Sequence, residues 1–229
     1  MVFVKAEVGS PNYGDPKSKF TVRYFDDKGN MMIRSGGSRA WRCNNPGNLL
    51  ASRYSMGVSR RSIGKAGDGV NEYAVYPDYE TGHEALVVML KGGVYSPLTL
   101  RASIKRYDGT NPKYIDEIVK ITGFDPERTI KSLNNKEFEV FWKAIEQMEH
   151  WEVGREDFIE KWYISGVHKK RGVITEYLIK KSDGFSWISK ENAIKLVIER
   201  KLHAVVVHLK TGNIYLRPES GSKPFELTS

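Results

Sequence analysis

Cysteine is almost absent: Cys43 is the only one in 229 residues. No internal disulfide can staple the fold, and a cysteine-rich zinc site is excluded. No apolar run approaches the roughly 18 residues that a membrane-crossing helix needs, so no membrane span is expected. The opening stretch, MVFVKAEVGSPNYGDPK, reaches Gly and Pro before any apolar signal-peptide core builds up. The expectation is a chain made in the cytoplasm without a cleaved signal, leaving the cell, if it does, by another route. The five histidines (His83, His150, His168, His203 and His208) show no ligand spacing with carboxylates, so no metal or other cofactor is expected. What remains is ordinary globular composition, 40% hydrophobic and 28% charged, in a length that suits one or two cored domains.

Charge is plentiful and uneven. Lys and Arg number 36 against 28 Asp and Glu, a net charge of +8. From Gly166 onward the chain holds 12 basic against 6 acidic residues, so most of the excess lies in the last quarter. A basic module could grip an anionic polymer electrostatically, or its charge could simply be solvated. Tyr177, Phe185, Trp187, Tyr215 and Phe225 are the aromatic residues there, with no interleaving suited to stacking bases, so no specific nucleic-acid partner is expected.

The order of local signals predicts an α+β protein in two parts. Residues 20–34, FTVRYFDDKGNMMIR, alternate apolar and polar around a turn, the pattern of a β-hairpin. Residues 51–71 are rich in Gly, Ser and Arg and read as a long surface loop. Helix signals follow: Asp78 as cap to about Leu90, Thr99 as cap to Tyr107, Asn111-Pro112 to Gly123, a short helix from Asp125-Pro126, and a longer one over 136–151. Residues 1–165 are therefore expected to be mainly helical behind an N-terminal hairpin. Residues 166–229 read as hairpin, helix and hairpin, a small α+β module.

Four places could carry chemistry. On the long helix, Phe138, Phe141, Trp142, Ile145 and Met148 form an apolar stripe, and Glu149 falls about 20° from Phe138, inside it. Burial and the helix C-terminus both raise a carboxyl's pKa, the condition a general acid needs. The plain alternative is a Glu at the stripe's edge, paired with an Arg or with His150. Second, in RCNNPGNLL, residues 42–50, Asn44, Asn45 and Asn48 bracket a Pro-Gly turn. Their amides could recognise sugar hydroxyl and acetamido groups, or could satisfy the turn's own backbone. Third, EYAVYPDYETGHEAL, residues 72–86, holds four carboxylates, read as mostly structural, with Tyr76, Asp78 and Tyr79 lining a groove. Last, Cys43 with His83 or His150 would make a thiol amidase; a small, partly buried side chain is the alternative.

The motifs RCNNPGNL, AVYPDYETGHEAL, LTLRASIKRY, TGFDPERTIKSL and AIEQMEHWEVGRE resemble, in this order, a group of lysozyme-like bacterial and phage proteins. The group includes phage lysis and virion proteins and peptidoglycan-cleaving toxin domains delivered by type VI secretion. The match covers roughly residues 20–160. It implies a lysozyme-like helical fold that cuts peptidoglycan glycan strands, with Glu149 as catalytic acid in a permuted order, packed against the Asn-Asn turn. On that reading Asn44, Asn45 and Asn48 are expected to position substrate, and Tyr76, Asp78, Tyr79 and Tyr107 to line the cleft. It further implies delivery to the periplasm or cell wall of a target bacterium, with an immunity protein and a secretion-system carrier as partners. The chain departs from the group's pattern at Cys43 (usually Asn), His150 (often Gly) and Asp108-Gly109-Thr110 (often Ala-Pro after the Tyr). Alternatives to the hydrolase are a non-catalytic wall-binding or phage structural protein and the Cys43-dependent amidase. The last 60-odd residues resemble a small bacterial domain family of unknown function.

Overall fold

The computed structural model describes residues 2–9, 20–51, 61–109, 111–181, 183–199, 201–209 and 211–218. It divides into two compact units, one of residues 1–28 and 32–157 and one of residues 29–31 and 158–229. The first unit is not mainly helical, and this corrects the expected fold class. Over the described residues six helices make up 33% and strands 35%, with a six-stranded mixed sheet.

That sheet has the order β5-β4-β1-β2-β3-β6, where β1 is Phe3–Gly9, β2 Thr21–Asp26, β3 Met31–Ser35, β4 Gly64–Gly67, β5 Glu72–Val75 and β6 Arg155–Ile159. The expected hairpin over 20–34 is β2 and β3. The other four strands of the sheet were not among the expected elements. Strand β1 pairs antiparallel with β2 and parallel with β4, which in turn pairs antiparallel with β5. Strand β4 runs through the stretch read as a loop, of which residues 52–60 lie outside the described residues. Val22, Tyr24, Met32, Cys43, Tyr73 and Val75 form the core on this sheet.

The helices follow their caps. α1 (Arg39–Arg42) starts where the Ser38 hydroxyl accepts from Trp41 N. α2 (Tyr79–Lys91) is capped by Asp78, whose carboxylate accepts from Thr81 N, and α3 (Leu100–Asp108) by Thr99. α4 (Pro112–Thr122) has Asn111 as cap, Pro at its start and Gly123 in the left-handed conformation at its end. The expected helix at 125–126 is instead a turn followed by one 3-10 turn, Ile130–Ser132. α5 (Asn135–Met148) opens with a reciprocal capping box between Asn134 and Glu137, and Glu149 is its C-cap. Leu86, Leu90, Leu100, Ile104, Tyr114, Ile118, Phe141 and Ile145 interlock into a second core.

The other unit contains a three-stranded sheet, β7-β8-β9 (Tyr163–Lys170, Val173–Lys181, Gly184–Ser189). Helix α6 (Lys190–Ile198) and the antiparallel pair β10 and β11 (Ala204–His208, Ile214–Pro218) complete it. The first expected hairpin is therefore a three-stranded meander. Val167, Tyr177, Ile179, Ala193, Leu202 and Leu216 form its core. Among the described residues, no helix is long and apolar enough to cross a membrane.

Candidate active site

The turn at residues 44–48 is sewn into the first unit by its own asparagines. Asn45 is fully buried and spends its whole amide on backbone: Oδ1 accepts from Leu49 N, and Nδ2 donates to Leu49 O and Ala74 O. Asn44, in the left-handed conformation at φ 48°, donates to Tyr76 O and accepts from Arg34. Main-chain bonds from Ala74 N to Leu49 O and from Tyr76 N to Cys43 O tie the same turn to β5 and the residue after it. Helix α2 crosses close above, and the reason Gly82 carries no side chain is visible here. A Cβ at that position would collide with the Asn44 carbonyl oxygen. Two of the three predicted sugar-binding asparagines are thus structural.

Asn48 differs. Its backbone is also left-handed, φ 45°, a region where Asn is favoured over most side chains. Its amide points outward and joins two charged groups. Oδ1 accepts from Arg39 Nε at 3.0 Å, and Nδ2 donates to Glu149 Oε2 at 2.7 Å. The other carboxylate oxygen, Oε1, accepts from the Tyr114 hydroxyl at 2.9 Å. Arg39 Nη2 stands 3.9 Å from Oε2, while its Nη1 donates to Tyr73 OH at 2.7 Å and its guanidinium lies over the Tyr73 ring.

These groups open on a cavity of about 350 Å³ lined by Arg39, Asn48, Tyr73, Tyr107, Asp108 and Glu149, with Gly47, Leu49, Leu50 and Asn71 between them. Tyr107 donates to Gly47 O, which fixes the turn at the cavity rim. The Glu149 side chain is only 13% exposed. Burial raises its pKa above the ordinary carboxylic range, with the Asp108 charge adding a smaller push. Hydrogen bonds from Asn48 and Tyr114 and the Arg39 charge act the other way without cancelling it. Tyr114 is itself held well above the usual phenol range, first by burial and then by the Glu149 charge, so it remains a donor.

No protein-family model and no curated protein matches the chain.

Of the predicted site residues, the fold brings Asn48, Tyr107 and Glu149 together. Tyr76 is fully buried in the helical core, and Asp78 is spent as the cap of α2. Tyr79 belongs to another surface, where its hydroxyl donates to Glu146 at 2.9 Å and its ring meets Trp151. The partners of Glu149 are Asn48, Tyr114 and Arg39 in place of His150, which takes a left-handed φ of 54° and is exposed. Arg39, Tyr73, Asp108 and Tyr114 were missed. Asp108 is one of the departures from the resembled pattern; no local signal marks the two tyrosines. Cys43 is fully buried among Tyr24, Met32 and Val75, and burial pushes its thiol up to about 12.

Proposed function

We propose that the cavity is the active site of an enzyme that cleaves the glycan strands of peptidoglycan, a muramidase-like glycoside hydrolase or lytic transglycosylase, with Glu149 as general acid. The observation that carries this reading is a buried carboxyl with a raised pKa, held from both sides inside a polar, tyrosine-lined cavity.

The hydrogen bonds also favour one oxygen of Glu149 for its proton. Asn48 Nδ2 can only donate, so it offers no acceptor to a proton on Oε2. The proton of neutral Glu149 belongs on Oε1, beside a Tyr114 hydroxyl that can turn from donor to acceptor. From there it passes to the glycosidic oxygen as the bond to the sugar carbon breaks, leaving Glu149 ionised and the sugar electron-deficient at that carbon. Arg39, near Oε2, favours the carboxylate that forms. Water, or a hydroxyl of the same sugar, then closes the reaction and returns a proton to Glu149. Asp108, the other carboxylate lining the cavity, is the candidate to orient that water.

The amidase alternative has little support, because a fully buried thiol with so high a pKa offers neither access nor thiolate. Action on the wall of a target bacterium, with an immunity protein and a secretion carrier, belongs to the same proposal and rests on the resemblance of the motifs. The test is mass analysis of material released from sacculi by the full-length wild type, Glu149→Gln and Cys43→Ala. Wild type and Cys43→Ala are expected to release muropeptides with new sugar ends, hydrated or anhydro, and Glu149→Gln none. Full activity in a folded Glu149→Gln refutes the assignment. Binding to sacculi without release by wild type would make the protein a wall binder.

A further inference from the structure

Around the C-terminal end of α5, about 60° from Glu149 on the helix, lies a second and shallower depression. It has a volume of about 580 Å³ and is lined by Glu146, Gln147, His150, Trp151 and Glu152. Its construction is specific. Glu146 is buried to 13% exposure and clamped, with Oε2 accepting from Tyr79 OH at 2.9 Å and Oε1 bonded to His83 Nδ1 at 2.8 Å. His83 is wedged edge-on against Trp142, with ring centres 4.2 Å apart. Tyr79 meets Trp151 edge to face at 4.9 Å, and both rings stay more than a third exposed. One open aromatic ring, Trp151, braced by Tyr79, therefore stands beside carboxylate and amide groups, just past the helix end that carries the proposed acid.

We propose that this depression is a sugar-binding subsite for uncharged N-acetylamino-sugar units of the glycan. The inference rests on the glycan-cleaving reading above for the identity of the polymer, but its site is separate. A pyranose ring has an apolar face that suits an exposed indole, and hydroxyls that suit carboxylate and amide partners at its edge. Glu146 and Glu152 bias the depression against carboxylate-bearing groups, so the unit that fits is the neutral sugar and not a muramic lactyl or peptide carboxylate. The clamp on Glu146 holds the aromatic wall in place before any ligand arrives, which lowers the ordering cost of binding.

The test uses the full-length chain and chitotetraose, a neutral oligomer of N-acetylglucosamine. The Trp151 indole N–H resonance is identified by its loss in Trp151→Phe and followed during titration of wild type and Glu149→Gln. The expected result is a saturable shift of that resonance in both proteins. In the Glu149→Gln background, Trp151→Ala is expected to weaken binding about tenfold, equivalent to about 1.4 kcal/mol, while Trp151→Phe retains most of the affinity. A Trp151 resonance that stays still at saturating sugar overturns the subsite, as does undiminished binding in Trp151→Ala or no binding of chitotetraose at all. The two readings fail separately: muropeptide release with a silent Trp151 removes only the subsite, and sugar binding at Trp151 without release removes only the catalysis.

Discussion

Replacing Tyr114 by Phe removes one oxygen and keeps the ring, so it isolates a single hydrogen bond to Glu149 Oε1. While Glu149 is ionised that bond is charge-assisted and contributes roughly 1.5–3 kcal/mol; while it is neutral the bond contributes only about 0.5–1.5 kcal/mol. Glu149 has a raised pKa in the folded protein. It stabilises the fold fully below the carboxyl pKa of the unfolded chain and loses that contribution as pH rises through its folded value. Tyr114→Phe withdraws a group that favours the ionised form, so it pushes the folded pKa higher still. Its destabilisation therefore grows with pH, by about 1–2 kcal/mol between the two protonation states. Urea unfolding of wild type and variant, from below the unfolded carboxyl pKa to mildly alkaline pH, measures this directly. In the proposed reaction neutral Glu149 is the active form, so the alkaline limb of glycan cleavage should move to higher pH in the same variant. An equal destabilisation at both ends of the pH range, with an unmoved activity profile, would refute the coupling between Tyr114 and the acid.

Glu149→Gln should lose glycan cleavage yet gain stability relative to wild type as pH rises, because it removes the cost of ionising a buried carboxyl; parallel unfolding curves at low and neutral pH would contradict this. Asn45→Ala strands the backbone groups of Leu49 and Ala74 that its amide serves and should cost at least about 2 kcal/mol, read from chemical denaturation. Gly82→Ala places a methyl against the Asn44 carbonyl and should cost about 1–3 kcal/mol, with a fall in melting temperature and in activity. The Cys43 thiol should resist alkylation in the native protein and become reactive only on unfolding, as followed by mass shift.

The parts of the fold that could be read from sequence were those fixed by local chemistry. Asp78, Thr99 and Asn111-Pro112 mark helix starts because each supplies what the first turn's orphan N–H groups need, and Gly123 ends α4 because it takes a left-handed φ of 69°. The sheet depends on partners distant in the chain. GKAG is four residues without an alternating pattern, and it becomes β4 only by pairing parallel with Ala6 and Glu7 and antiparallel with 72–75. REDFI is too charged to announce a strand, yet it forms β6 at the sheet's edge next to β3. The site divides in the same way. Glu149 was legible because a carboxylate inside an apolar stripe breaks the pattern of a helix. Arg39, Tyr73 and Tyr114 break none, and only the folded chain brings them to the acid. Asn44 and Asn45 misled because an amide facing backbone and an amide facing ligand look alike in one dimension.

Asn48 separates a cation from an anion. Its single planar amide shows oxygen to Arg39 and nitrogen to Glu149, so it works as a spacer that holds the guanidinium 3.9 Å from the carboxylate. An acid in direct bidentate embrace with an arginine would be a permanent anion, useless as a proton source. With the amide interposed, the same arginine stays near enough to favour the negative charge that the proposed proton transfer would leave. Aspartate at this position would add a second negative charge, and alanine would open a path for the guanidinium to close. Glycine would tolerate the left-handed backbone but leave the two charges unpartitioned. One residue thus meets a conformational demand and an electrical one at once.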